Sequence, residues 1–503
     1  MALTKVSYSM INGSPFNILD FGADPTGQTD STTAIQNAIT AASAANAIGS
    51  STTGSTGNAR TTLFFPAGVY VISSTLAFQP FVNYVGVRST TVDSSPNAPT
   101  SSYPDSRGTI LRATTAIYNA STNPRGTLGY VATGDITFRD LQFVGTGQLT
   151  GNGSTGIQWG SSGGVAVTGI SYETDGTGQN VSGVEMSGCT FYSFISGFYS
   201  CSLNDAYFYQ TRFESNTTDI NWSVNTVVPI SQSAQFFGCV FFAHVSGMAF
   251  GVGPSYEVNV FGGTFTGTQS NTQHITVTNA GSAPTLSLIF DGVNFSFTSN
   301  TNTHHFYIAG YYVGATNTLQ VSNCRFSGGD IVISIASGAT LFSRWQFNNC
   351  TYIQTNIVLN QTQFGQIKGG IFLLSGITIT TSTNILIRDC VLQGFSGTAI
   401  NVAGANCGNN QFINNTFNGN AGNISIFDNS TNDSIFMENN IGITSISTRG
   451  KTIDYVNNIV FTSLGTPANG SMIYCPDGTI ANPVASGGTG CMAKRLNGVW
   501  VGN

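Results

Sequence analysis

Charge is scarce in this chain of 503 residues: only 8% are Asp, Glu, Lys or Arg, with 16 basic against 22 acidic. No Lys/Arg cluster gives it the electrostatic footprint that a phosphate backbone requires, so nucleic acid is not the expected partner. No stretch of about 18 apolar residues is present, which excludes insertion of a membrane helix. The opening MALTKVSYSMING lacks the apolar core of a secretory signal, so synthesis in a cytoplasm without export by that route is expected. Histidine is rare, and His244, His274 and the pair His304-His305 are too scattered for a zinc site; they read as ordinary strand or loop residues. No Asp/Glu cluster beside a basic proton acceptor points to calcium-assisted elimination. No nucleophile-elbow sequence supports a Ser/His/Asp esterase. Neither a metal nor a cofactor is expected. The helix-forming Leu/Ala consensus of ankyrin or leucine-rich arrays is also missing.

What the chain has is a surface chemistry of Gly, Ser, Thr and Asn, neutral groups that hydrogen-bond and suit glycans, and a repeat. Phe191, Phe213, Phe241, Phe265, Phe295, Phe326, Tyr352, Phe372, Leu392 and Phe417 recur every 20 to 31 residues, each ending a copy of one pattern. Three positions earlier stands a turn-former: Gly188, Gly238, Gly262, Gly292, Asn323, Asn349, Gly369, Asp389 or Asn414, with Gln210 the exception. Two positions earlier stand Cys189, Cys239, Cys324, Cys350 and Cys390, alternating with small residues. Five positions earlier every copy is apolar, from Met186 and Phe208 to Ile387 and Phe412.

Apolar and polar residues alternate on both sides of the Gly/Asn/Asp corner, as in strands with one buried face. The corner residue is of the type that accepts left-handed backbone. Two short strands meeting at a bend, at a period in the twenties, predict coils of a parallel β-helix stacked at roughly 4.8 Å, with Phe and Cys columns inside. The fold class is therefore all-β. Five of the nine cysteines read as small buried hydrophobes; Cys475 and Cys491 remain an open pair.

Ahead of the coils, NILDFGADPTGQTDSTTAIQNAITAA is followed by a Gly/Ser/Thr-rich loop and LFFPAGVYVISSTL. Asp30 is placed to cap a helix whose apolar face is Ala34, Ile35, Ala38, Ile39 and Ala42, a lid for the first coil. Asp20, Phe21, Gly22, Ala23, Asp24, Gly27, Thr29, Asp30, Ala34, Ile35 and Gln36, with Phe65, Pro66, Ala67, Gly68, Tyr70 and Ile72, resemble the N-terminal signature of the pectate-lyase-like superfamily as it occurs in bacteriophage tailspikes. The signature departs from the common form at Ser31, where a second Asp is usual. The resemblance implies a right-handed β-helix, usually a homotrimer in phage, and marks architecture without transferring an activity. Both ends also resemble phage tail proteins, which implies attachment to a tail or baseplate protein through the N-terminus. Asn497-Gly498 is a two-residue hairpin signal near the C-terminus, and that hairpin reads either as a trimer clamp or as a fold-back on its own chain. The expected organisation is a leader over 1–15, capping signature, helix and loop over 16–60, β-helix over 61–461 and a small β tail over 462–503.

By the two-residue period, positions six and eight before the anchor face solvent. Position six carries Glu185, Tyr207, Gln235 and Asn259; position eight carries Asp205, Ser233 and Glu257. Glycoside hydrolysis needs one carboxylic acid and one carboxylate. Asp205 and Glu257 share an offset two coils apart, roughly 9 to 10 Å between backbones, and Glu185 is a possible third member. The bland alternative is a set of solvated acids, and Glu173, Asp175, Glu214 and Asp219 are alternatives read as loop or edge carboxylates. Tyr207, Gln235, Asn259 and Trp222 are candidate glycan contacts, with Tyr311 and Tyr312 as further outward rings or, equally, edge packing. The function classes are a tailspike that binds and cleaves host surface polysaccharide (capsule or O-antigen), a non-enzymatic adhesive fibre, and a secreted bacterial carbohydrate-active enzyme. The expected location is the virion tail.

Overall fold

The computed structural model describes residues 15–46, 60–88, 108–114, 117, 127–131, 135–145, 168–172, 181–200, 203–222, 232–251, 255–280, 286–298, 302–311, 318–335, 344–395, 398–403, 407–418, 434–442, 451–454, 472–475, 491–496 and 499–502. The chain divides into two compact units, Met1–Phe265 and Thr266–Asn503. Each contains coils of a right-handed parallel β-helix, a complete coil giving one strand to each of three sheets. A solenoid coil touches only its neighbours, so no common central core is required.

In the first unit a representative coil runs Leu203–Tyr209, Arg212–Glu214 and Thr218–Trp222, and the next runs Gln232–Phe237, Val240–Phe242 and Ser246–Phe250. Corresponding strands pair in parallel: Phe208 opposite Phe236, Phe213 opposite Phe241, Ile220 opposite Met248. The corner expected from Gly, Asn and Asp is left-handed in every copy, from φ 64 at Gly188 and 47 at Gln210 to 55 at Asn414. Its amide continues the ladder to the next coil, as when Gly188 N donates to Tyr209 O at 3.0 Å and Gln210 N to Phe237 O at 2.9 Å. The corner therefore turns the chain without leaving a buried donor unpaired.

Register converts the sequence columns into stacks. Phe143, Phe191, Phe213, Phe241 and Phe265 lie face to face at 5.0, 5.1, 5.1 and 4.1 Å. Cys189 and Cys239 are buried beside them, and burial pushes their thiols up to about 12, which makes them inert packing groups.

The cap forms as the signature requires. The helix spans Thr32–Asn46 and buries Ile35, Ala38, Ile39 and Ala42. Ser31 is its N-cap, its carbonyl accepting from Ile35 N at 2.9 Å, while Asp30, one residue earlier, accepts from Thr32 N at 3.0 Å. Gln36 bonds both backbone groups of Ala77, so its amide completes the edge of Leu76–Phe78. Asp24 accepts from Thr26 and Thr29, bonds that hold its carboxyl well below the usual range. Gly68 is needed because a Cβ there would meet Pro25 Cβ at 2.6 Å. These residues organise a lid and leave no group over for chemistry.

In the second unit Thr318–Ser322, Arg325–Ser327 and Asp330–Ile335 form a coil of the same kind. Phe326 is fully buried between Phe295 at 4.9 Å and Tyr352 at 5.4 Å. The small column passes from Cys390 to Asn415 and Asn440, buried amides whose bonds are complete: Asn415 Oδ1 accepts from Cys390 N, and Asn440 Oδ1 accepts from Asn415 N. Met472–Cys475 pairs antiparallel with Cys491–Leu496, Cys475 opposite Cys491, and Cys491–Leu496 pairs with Val499–Gly502. Asn497-Gly498 itself, like residues 1–14 of the expected leader, lies outside the described residues.

Histidines are deeper than the sequence suggests: His244, His274 and His305 are fully buried. The His274 ring stacks on Phe297 at 4.1 Å, and His305 sits among Phe295, Phe297 and Phe326. An imidazole takes a core position as a flat ring only while neutral. Burial accordingly pushes His305 down to about 3 and also lowers His304.

Two outcomes are expected. Phe326→Asp abolishes folded protein, because an unpaired charge in a dry stack costs several kcal/mol; normal yield and melting would show a wrong register. Between pH 6.5 and about 3 the unfolded chain binds a proton at His305 that the folded chain refuses, so stability falls as pH falls. The slope from this ring is about 1.4 kcal/mol per pH unit. Melting temperatures followed downward from neutral pH are expected to fall less steeply in His305→Phe than in the parent, and parallel curves would contradict this.

Candidate functional site

Three neighbouring strands of the first unit, Leu203–Tyr209, Gln232–Phe237 and Tyr256–Phe261, build one groove on their outer face. Alternation turns Ala206, Ala234 and Val258 inward and leaves the residues between them outside. Parallel register then aligns Tyr207 with Gln235 and Asn259, and Ser233 with Glu257. The groove is lined by Asp205, Tyr207, Ser233, Gln235, Glu257 and Asn259 over a floor of Ala206 and Ala234. Its cavity volume is about 80 Å³, and it is open to solvent.

Position eight departs from the simple period. Gly183, Asp205, Arg344, Phe364, Asn384 and Asn409 are left-handed there, with φ 53 at Asp205, so that residue is a kink within Leu203–Tyr209, skipped by the register between Asn204 and Ala206. Its direction is set by a bond: Asp205 N donates to Ser233 Oγ at 2.9 Å. Ser233 and Glu257 lie within regular strands. Asp205 and Glu257 are thus at two edges of one groove with Ser233 between them, two coils apart, which is roughly 9 to 10 Å of backbone. Side chains that lean together from that separation reach the range used to admit a water between two carboxylates. Both are exposed, whereas Tyr207, Gln235 and Asn259 are half-buried. The Asn259 Oδ1 atom is buried without a hydrogen-bond partner among the described residues.

Glu185 stands one coil earlier, opposite Tyr207, and does not line the groove. Trp222, expected outside, is fully buried: it ends Thr218–Trp222 in the third sheet with its ring stacked on Phe250 at 6.0 Å. The coil turns a second time between the anchor Phe213 and Trp222, at Ser215, and this turn resets which parity faces in. The same turn buries two alternative carboxylates. Glu214 accepts from Arg212 Nε at 2.7 Å, and Asp219 lies fully buried 2.8 Å from His244 Nδ1, with Asn216 donating to its other oxygen at 2.9 Å. Burial raises the Asp219 pKa. Glu214 and Asp219 are interior polar staples closed to a glycan. Glu173, Asp175 and Tyr312 lie outside the described residues, as does the side chain of Tyr311.

One feature of the site escaped the sequence reading. Position four before the anchor holds Tyr209, Phe237 and Phe261 on the same three coils, stacked at 5.1 and 5.3 Å, with Tyr207 parallel to Tyr209 at 6.4 Å. Reading that column across coils would have found it, since the flanking coils carry Ser187 and Asp291 there. Because the rings stack on one another along the coil axis, their edges reach solvent, and the stripe offers apolar edge contact beside the polar groove. Among the described residues no cluster of His, Cys, Asp and Glu is arranged to hold a metal.

No curated protein sequence matches the chain. Solved structures similar to it include the surface adhesin PfbA of Streptococcus pneumoniae, at 12% identity over 97% of this chain and 99% of that one with a TM-score of 0.42. The catalytic unit of the GH87 α-1,3-glucanase of Streptomyces thermodiastaticus strain HF3-3 is similar at 13% identity, 87% and 70% coverage and 0.42. The Dettilon tailspike protein is similar at 13% identity, 92% and 68% coverage and 0.34. Residues 15–199 match the family described as rhamnogalacturonase A/epimerase, pectate lyase-like, the architecture that the capping signature resembles.

Proposed function

We propose that this chain is a virion tailspike or tail fibre that binds host cell-surface polysaccharide, capsule or O-antigen, in the groove of Asp205, Tyr207, Ser233, Gln235, Glu257 and Asn259, and cleaves it by glycoside hydrolysis. The observation that carries the reading is the convergence of two carboxylates, two amides, two hydroxyl groups and an aromatic stripe on three consecutive coils. Amides and hydroxyls hold sugar hydroxyls, ring edges cover apolar carbon, and the carboxylate pair supplies a proton and activates water. Synthesis in the host cytoplasm, attachment to the tail through the N-terminal leader and assembly as a homotrimer belong to the same reading. The few charges on the outer faces favour assembly, since neutral faces are buried without stripping ions of water.

An adhesive fibre without catalysis is the second reading, favoured by one observation: both carboxylates are exposed, whereas an acid/base pair is usually separated by unequal environments. Incubation with capsule or O-antigen of the host, followed by assay for new reducing ends, decides between them. Asp205→Asn and Glu257→Gln are each expected to lower turnover by about 10²- to 10⁴-fold with fold and glycan binding retained. Full cleavage by both variants would remove the pair from catalysis, and no cleavage by the parent would leave the fibre. Light scattering at micromolar concentration is expected to give the mass of three chains; a monomer would contradict the assembly.

A further inference from the structure

We infer that the groove accepts neutral or amino-bearing sugars and rejects glycans that carry carboxylates at the units it seats. The inference rests on the groove being a glycan site and adds the class of glycan. Its charged groups are acceptors alone. Asp205 and Glu257 stand at two edges as carboxylates, and the buried Asn259 Oδ1 between the strands lacks a donor within the described chain. Such a lining is completed by ligand hydroxyl, amide N–H or ammonium groups, which donate; a uronate or other acidic unit presents more acceptors and a like charge.

No cation offsets this. Among the described residues no Lys or Arg lines the groove; four arginines of the same unit are engaged elsewhere, and Arg139 stands two coils before Tyr209 on the same outward column. Arg212, on one of the groove-bearing coils, turns to Glu214 at 2.7 Å and lies 5.7 Å from the Phe242 ring centroid. Arg60 faces Asp135 at 3.7 Å, Arg88 donates to Gln210 at 3.4 Å, and Arg112 donates to the Gly27 carbonyl at 3.3 Å. An acidic ligand seated in the groove would therefore meet two like charges and no counter-charge in its lining, in a groove open enough for salt to screen the repulsion. Salt then acts in an unusual direction: it strengthens residual binding of acidic glycans, whereas capture by Lys or Arg weakens with salt.

The test uses the full chain on immobilised bacterial surface polysaccharides of neutral, amino-sugar and uronate-bearing composition, together with oligogalacturonate and its carboxyl-reduced form, at low and high salt. The expected result is retention confined to neutral and amino-sugar members. Residual oligogalacturonate binding is expected to rise with salt, and to rise about tenfold or more at low salt in the double variant Asp205→Asn, Glu257→Gln. Strong uronate binding by the parent that salt weakens, or a double variant that binds oligogalacturonate no better, overturns the inference while leaving the groove a glycan site. Retention of no glycan of any class overturns both. Neutral-glycan retention without cleavage supports the inference and removes only the hydrolytic step.

Discussion

Coil-to-coil register is the constraint on which everything else in this chain depends. Parallel pairing puts Phe191 over Phe213 over Phe241 inside one sheet and, on the outer face of the neighbouring sheet, puts Tyr207 beside Gln235 and Asn259. A slip of one residue would turn the core column to solvent and scatter the groove together. Register in turn rests on the left-handed corner. Only there can the backbone change direction while its N–H still reaches the next coil, as Gly238 N reaches Phe261 O at 2.9 Å.

The groove is a local departure on that frame. Elsewhere the outward columns mix amides with single charges; on three coils they combine two carboxylates, two small floor residues and a three-ring stripe. The bend at Asp205 is a strained element, since a non-glycine residue in left-handed backbone costs about 1 to 2 kcal/mol. Its amide bond to Ser233 Oγ offsets part of that and fixes where the carboxylate starts. The function proposed for the site thus draws on the same device, a left-handed residue tied to the next coil, that builds the fold.

The corner, anchor and cysteine columns were legible in the sequence because each demands a narrow residue type at a fixed offset. The second turn of each coil was not. Ser193, Ser215, Ala243, Gln354 and Leu374 are all left-handed there, yet they share no side-chain type; at Ser193, Ser215, Gln354 and Leu374 it is the ladder bond of the amide and not the side chain that holds the bend. Missing that turn hid the parity of the third sheet, so Trp222 read as a surface ring and Asp219 as an edge carboxylate, though both are fully buried. Of the site, the sequence showed Asp205 and Glu257 at one offset. It did not show that Asp205 kinks its strand, and the stripe of Tyr209, Phe237 and Phe261 lies in column four, outside columns six and eight.

The most direct measurement of the central claim, that three coils of the first unit form the glycan site, is hydrogen exchange of the full chain with and without a polysaccharide that it retains. Binding in the groove is expected to slow exchange across 203–209, 232–237 and 256–261 and to leave Thr318–Ser322 and Trp345–Asn348 unchanged. Protection confined to the second unit, with the groove strands exchanging as before, would contradict it.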